Sequence, residues 1–374
     1  MSWTRTWAVM AKEFGQLRRD RITYAMILLL PIVQLLLFGY AINGDPRQLE
    51  TAVLVQDQGA FSRPILTALE NSDYFDIVQV ARSPAELDRA LERGEVKFAV
   101  TIPADFSRRV IRGDGARILV EADATDPSAT SGALGALAGL PAQALSRELS
   151  LARGVQATPG APFEVVVHRR YNPEGETAFN IVPGLLAIIL SMTLVMMTAL
   201  GMARERERGT MESLLSTPVR PIEVMAGKLA PYVGVGLFQS VVILVMARVL
   251  FDVPMMGGWL ALVLGLSLFI IGSLALGFLI STVARSQLQA MQVSMFYMLP
   301  SILLSGFMFP FRGMPGWAQA IGAAIPVTHF LRVVRGALLK GVGVTDAATS
   351  LFALVAFVII VTALAMSRYR TTLD

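Results

Sequence analysis

The chain has 374 residues, 54% of them hydrophobic and only 16% charged, with a formal net charge of +4 and no cysteine. Soluble domains carry about 25% charged residues, so an ordinary water-soluble fold is excluded, and the lack of cysteine excludes disulfide scaffolds and thiolate metal sites. Six charge-free runs, 24–44, 177–203, 229–247, 253–284, 286–311 and 347–367, underlie the mean hydropathy of +0.58. Each can supply the roughly 20 helical residues that cross a ~30 Å hydrocarbon core. They predict a polytopic α-helical membrane protein with six transmembrane helices.

In residues 1–21, Trp3, Trp7, Met10, Phe14 and Leu17 recur at helical spacing on one face, and basic residues such as Arg18 and Arg19 occupy other positions. This predicts an amphipathic interface helix lying along the cytoplasmic surface of the bilayer, with Trp3, Trp7, Phe14, Arg18 and Arg19 as its interfacial residues. Residues 22–44 read as transmembrane helix 1. The apolar run is longer than a secretory h-region, and no A-x-A-like cleavage site follows it.

Residues 45–176 have the composition of a soluble domain, with 14 Lys+Arg against 19 Asp+Glu, whereas the rest of the chain has 18 against 9. The pI of 9.6 therefore reflects membrane-flanking charge and points to no nucleic-acid partner. TAVLVQD, FDIVQV, VKFAVTIP and RILVEADA read as four strands, and FSRPILTALENS and SPAELDRALERG as helices between them. A small-residue stretch over 128–154 reads as a long helix leading back to the membrane. The expectation is an inserted α/β extracytoplasmic domain.

Residues 177–374 hold transmembrane helices 2–6. Thirteen basic residues flank one side, among them Arg204, Arg206, Arg208, Arg285 and Arg368, against four on the other: Arg312, Arg332, Arg335 and Lys340. By the positive-inside rule both termini are cytoplasmic and 45–176 lies outside. The four exceptions fall in 310–346, read as an outer re-entrant or interfacial segment on which long basic side chains snorkel.

The segment RERERGTMESLLSTPV follows span two. Its alternating charges prolong the span as a stalk, Gly209 breaks the helix, and Thr210 is a good N-cap for a new one. Glu212 suits the positive end of that helix, Met211, Leu214 and Leu215 share an apolar face, and Pro218 stops it. The pattern predicts a short docking helix at 210–217.

Catalytic chemistry is sparse. Only His168 and His329 occur, on different segments and without ligand spacing. MAGKL at 225–229 lacks the first glycine and the Ser/Thr of a phosphate loop. The six runs contain no Asp, Glu, Lys, Arg or His of the kind that couples secondary transport to protons or sodium.

RERERGTMESLLSTPV resembles the cytoplasmic motif of the permease subunits of type-2 ATP-binding-cassette exporters, E-x-E-x-G-T-x-E-x-L ending in proline. It matches at Glu205, Glu207, Gly209, Thr210, Glu212, Leu214 and Pro218. KEFGQLRRDR resembles the family's N-terminal interface helix, and MFPFRGMPGWAQAIGAAIPVTHFLRVVRGALLKG its stretch between the last two spans. TAVLVQDQGAFSR and VKFAVTIPADFSRRV are similar to the subgroup with a large outer domain after span one.

The resemblance implies a permease with no nucleotide site of its own, working as a pair of like or paralogous chains on separate ABC ATPase subunits that carry ATP and magnesium. Such chains sit in the bacterial inner membrane. This subgroup commonly joins a periplasmic adaptor (membrane-fusion) protein to export drugs or other amphipathic or lipid-like molecules. Residues 210–217 would be the coupling helix, with Glu205, Glu207, Arg208, Gly209, Thr210, Met211, Glu212, Leu214, Leu215 and Pro218 coupling to the ATPase. The family's pathway spans map to 179–203 and 287–309, with Asn180, Met192, Met196, Gln292, Met295, Tyr297 and Ser301 as lining candidates. The alternative is a membrane sensor or anchor with an outer ligand-binding domain and a cytoplasmic docking helix.

Overall fold

The structure, a computed structural model, describes residues 46–145, 161–207 and 221–368. The interface helix, the first span and the 210–217 helix expected from the sequence lie outside the described residues.

Five strands, β1 (Leu49–Val55), β2 (Phe75–Val80), β3 (Phe98–Ile102), β4 (Arg117–Asp123) and β5 (Glu164–Arg170), form one sheet in the order β2-β1-β3-β4-β5. β1 is parallel to β2 and β3, β3 and β4 are antiparallel, and β5 pairs parallel with β4. Strand alternation divides the apolar residues between two faces. Leu49, Val53, Phe98, Val100, Ile118 and Val120 pack with α1 (Ser62–Asn71), α3 (Phe106–Arg112) and α4 (Pro127–Ala144). Ala52, Leu54 and Ala99 pack beneath α2 (Pro84–Glu92) on the other face.

The four expected strands are present, and β5 and α3 are additional. β5 is an edge strand whose residues are largely solvent-exposed, so EVVVHRR lacks the buried alternation that marks the others. Its end at Tyr171 turns through positive φ into a loop where Asn172 and Glu176 exchange two hydrogen bonds. The link from sheet to bundle is therefore short and braced.

Among the described residues the bundle holds α5 (Thr177–Glu207), α6 (Pro221–Phe251), α7 (Trp259–Val283), α8 (Gln287–Leu304), the short pair α9 (Gly316–Ala323) and α10 (Pro326–Arg335), and α11 (Ala348–Arg368). Among the described residues four helices are long and apolar enough to cross a membrane: α5, α6 from Leu229, α7 and α11. α8 runs beside α5 for its whole length, from Gln287 near Glu207 to the turn at Gly306 that lies against Arg335 and Asn180. It is shorter than the 286–311 run from which a span was expected, because the chain turns at Gly306 (φ +83°).

α7 is the centre of the bundle. A Cβ on Gly277 would stand 2.6 Å from the carbonyl oxygen of Val195, so glycine lets the α5 and α7 backbones touch. On other sides of the same helix Gly265 meets Val333 and Gly272 meets Phe357. α9 and α10, the latter continued by a π-turn to Lys340, meet at an angle of 83°. This bent pair and the loop at 252–258 cover the end of the bundle that carries the sheet; Met256 N–H donates to Leu338 O (3.0 Å).

Candidate functional site

Three arrangements stand out, and the first lies at the end of α5. At 31 residues it is about 46 Å long, more than a ~30 Å core needs. Its last turn carries Arg204, Arg206 and Glu207 to the ends of two other helices. Arg206 Nη1 donates to the carbonyls of Thr282 (3.3 Å) and Ala284 (3.2 Å), where α7 ends. Glu207 accepts from Gln287 N–H (2.8 Å) and Gln287 Nε2 (2.6 Å), where α8 begins. Arg204 Nε donates to the same amide through Oε1 (3.2 Å).

A cation on terminal carbonyls and an anion on initial N–H groups are the pairings that helix ends favour. The stalk is thus a clamp between α5 and the α7–α8 turn. Gln287, which completes it, was not singled out in the sequence because an uncharged residue opening an apolar run carries little signal. Glu205 is half-buried beside the clamp. Arg208, Gly209, Thr210, Met211, Glu212, Leu214, Leu215 and Pro218 lie outside the described residues, as do Trp3, Trp7, Phe14, Arg18 and Arg19.

The second arrangement is the outward face of α5 and α8. Ile181, Leu185, Ile189 and Met192 form an exposed stripe on α5, and Leu288, Met291 and Met295 one on α8, with Met196 and Gln292 half-buried. The remaining lining candidates turn into the chain. Ser301 Oγ donates to Tyr297 O (2.8 Å), and Tyr297 packs against the cluster of Val195, Ala199 and Ala290. Asn180 is buried; its Nδ2 donates to Asp126 (3.2 Å) and its carbonyl accepts from Arg335 (3.3 Å).

The third is the joint between sheet and bundle. Lys340 leaves the π-turn and donates to Asp123 Oδ2 (2.9 Å) and to Leu91 O (2.9 Å) at the C-terminal end of α2. Lys97 donates to the same carboxylate oxygen (2.7 Å), and Thr125 Oγ1 to the other (2.7 Å). Burial alone would raise the Asp123 pKa, but the Lys340 and Lys97 charges outweigh it and hold the carboxyl well below the usual range. Arg312 pairs with Glu50, and Arg93 with Asp346 (3.0 Å). Burial pushes the Glu50 carboxyl up against the pull of Arg312 and Lys97.

Two of the four basic residues that broke the charge rule, Arg312 and Lys340, thus reach carboxylates of the sheet region. Its acidic excess, read from composition as a domain property, supplies the partners. A cavity of about 580 Å³ lies within this joint, bounded by Glu92, Lys97 and Asp123 on the sheet side and Phe311, Arg332 and Arg335 on the bundle side.

A family model described as "ABC-2 family transporter protein" matches residues 21–367. The chain is 31% identical over 343 residues to the probable multidrug ABC transporter permease YbhS of Escherichia coli strain K12, covering 91% of this chain and 90% of that one. It is 27% identical to the probable multidrug ABC transporter permease YbhR of the same strain, covering 90% of each. It is also 27% identical to the inner membrane transport permease YhhJ of that strain, covering 89% of this chain and 88% of that protein. With the apolar helices, these matches make the protein a multi-pass membrane permease, and the chain belongs to the ABC-2 transporter family.

Proposed function

We propose that this chain is the membrane-spanning subunit of an ATP-driven exporter in the bacterial inner membrane. It pairs with a second permease chain and takes its energy from separate ABC ATPase subunits that bind ATP and magnesium. Both termini are cytoplasmic, the sheet region lies outside, and a periplasmic adaptor protein is a fitting outer partner. The cargo is an amphipathic, drug-like or lipid-like molecule, in keeping with the multidrug names of YbhS and YbhR.

The observation that carries this reading is the Arg204–Arg206–Glu207 clamp. The segment leading into the 210–217 coupling helix grips the end of α7 and the start of α8, so a push on that helix moves three helices together. The exposed methionine stripes of α5 and α8 supply an adaptable apolar surface at which two permease chains can meet around a varied cargo.

The test is reconstitution with a co-expressed ATPase subunit, reading ATP hydrolysis and ATP-dependent movement of an amphipathic dye. Gly209→Pro or Glu212→Ala should abolish transport-linked hydrolysis while the chain still inserts and folds. Unchanged coupling in both variants, or no ATPase that co-purifies, overturns the proposal.

A further inference from the structure

The cavity at the joint is lined by six cations, and four of them have a carboxylate within reach. Lys97 and Lys340 share Asp123, Arg312 pairs with Glu50, and Arg93 pairs with Asp346. Arg332 and Arg335 have none within ion-pair distance among the described residues. Arg335 donates only to the neutral carbonyls of Gly306 (3.1 Å) and Asn180 (3.3 Å), and its Nε is buried without a hydrogen-bond partner. Arg332 lies over the ring of Phe311 at 4.9 Å, a contact that orients a guanidinium without neutralising it. Asp126 and Asp123 act on Arg335, and Glu50 on Arg332, only through space, and these carboxylates are already bonded by Asn180, by Lys97 and Lys340, and by Arg312.

These two arginines stand three residues apart on α10 and therefore share one helix face. Arg335, part-buried against the bundle with no carboxylate in bonding distance, and the more exposed Arg332 beside it can hold an oxyanion by paired N–H donors. The same cavity offers the half-buried Phe311 and Val342 to an apolar chain. Its volume of about 580 Å³ falls within the roughly 300–1,000 Å³ typical of small-ligand sites.

We infer that the cavity between the sheet and the α9–α10 pair is a binding site for an anionic amphiphile, whose phosphate or carboxylate head sits between Arg332 and Arg335 and whose tail lies along Phe311 and Val342. Nothing in this inference depends on ATP coupling, so it stands or falls apart from the exporter reading.

The test is native mass spectrometry of the purified full chain, titrated with phosphatidylglycerol, phosphatidylcholine and inorganic phosphate. Wild type should retain phosphatidylglycerol in preference to phosphatidylcholine. Arg332→Gln, whose side chain is exposed and so leaves folding intact, should weaken that retention about fivefold, the scale of one basic contact to an anionic head. Arg332→Lys should recover part of it, and Arg285→Gln at the opposite end of the bundle should leave it unchanged. Arg335→Lys, which keeps the charge inside the joint, should weaken binding less than Arg335→Gln.

Displacement of the lipid by millimolar inorganic phosphate would support a site that reads the phosphate group itself. Retention of a lipid that responds to Arg332→Gln but not to phosphate would support one that reads head and tail together. Equal retention of the two lipids, or equal loss in Arg332→Gln and Arg285→Gln, overturns the inference.

Discussion

At the sheet end of the bundle Lys340 reaches Asp123 across 217 residues of sequence, and both side chains are almost wholly out of water. At the other end Glu207 reaches Gln287 across 80 residues while exposed to solvent. The same currency of charge builds two different devices. A buried pair loses its own hydration when formed, so removing one partner strands the other at a cost of about 3–5 kcal/mol. An exposed contact gains little and is screened by salt. The first arrangement fixes a rigid joint, and the second holds helix ends together only as firmly as a moving part permits. The difference places the rigid element under the sheet and the adjustable one next to the segment through which energy is proposed to enter.

The largest expected effect comes from breaking the joint. Lys340→Met removes one of the two ammonium groups facing Asp123 and the donor to Leu91 O. Because Lys97 remains, the cost should be about 2–4 kcal/mol, below that of a fully stranded carboxylate. The chain has no cysteine, so spin labels introduced through V80C and W317C, both at exposed positions, report the sheet-to-bundle distance without background. The distance distribution should broaden in Lys340→Met and stay narrow in Glu207→Gln. A narrow distribution in both would remove the contrast between the two ends.

A smaller effect separates the two carboxylates within the joint. Asp123 has a folded pKa below its unfolded value of about 3.9, so its stabilisation is complete above that pH and is lost as pH falls through the folded value. Glu50 has a raised pKa, so the folded state binds its proton more readily, and stability at that position declines as pH rises through the folded value. Asp123→Asn should flatten the acid limb of thermal stability, and Glu50→Gln the decline on the less acidic side. Matching pH profiles for the two variants would show that one group governs the joint.

Much of this architecture was legible in the chain, and the gaps have physical causes. Charge-free length marked the helical runs, because lipid tolerates few ionised side chains. The soluble composition of 45–176 pointed to the region where the sheet lies, and alternation marked β1 to β4. Composition could not reveal that Arg312 and Lys340 find partners among the carboxylates of the sheet region, since pairing across 217 residues leaves no local pattern. Snorkelling was the reading available to each arginine and lysine taken singly. β5 was obscured because an exposed edge strand has no buried face to imprint on its sequence. Of the pathway candidates, the methionines at 192 and 295 are exposed on the outward face of α5 and α8, whereas Asn180, Tyr297 and Ser301 are engaged within the chain. Polarity in an apolar run signals an interior partner as readily as a pathway, and only packing separates the two.

The smallest effect tests the adjustable end. Glu207→Gln keeps the shape of the side chain and one acceptor for Gln287 N–H but removes the negative charge from the start of α8. Arg206→Gln withdraws the cation from the last carbonyls of α7. Each should lower thermal stability by less than Lys340→Met does. The loss should fade in 1 M salt, where the screening length falls to about 3 Å, whereas the Lys340→Met loss should persist because its partners lie out of reach of the ions. Pairing Glu207→Gln with Gln287→Ala in a double-mutant cycle isolates the side-chain contact between them. A Glu207→Gln penalty that survives high salt and equals that of Lys340→Met would mean that both ends of the bundle are rigid joints, leaving the clamp no freedom to transmit a motion.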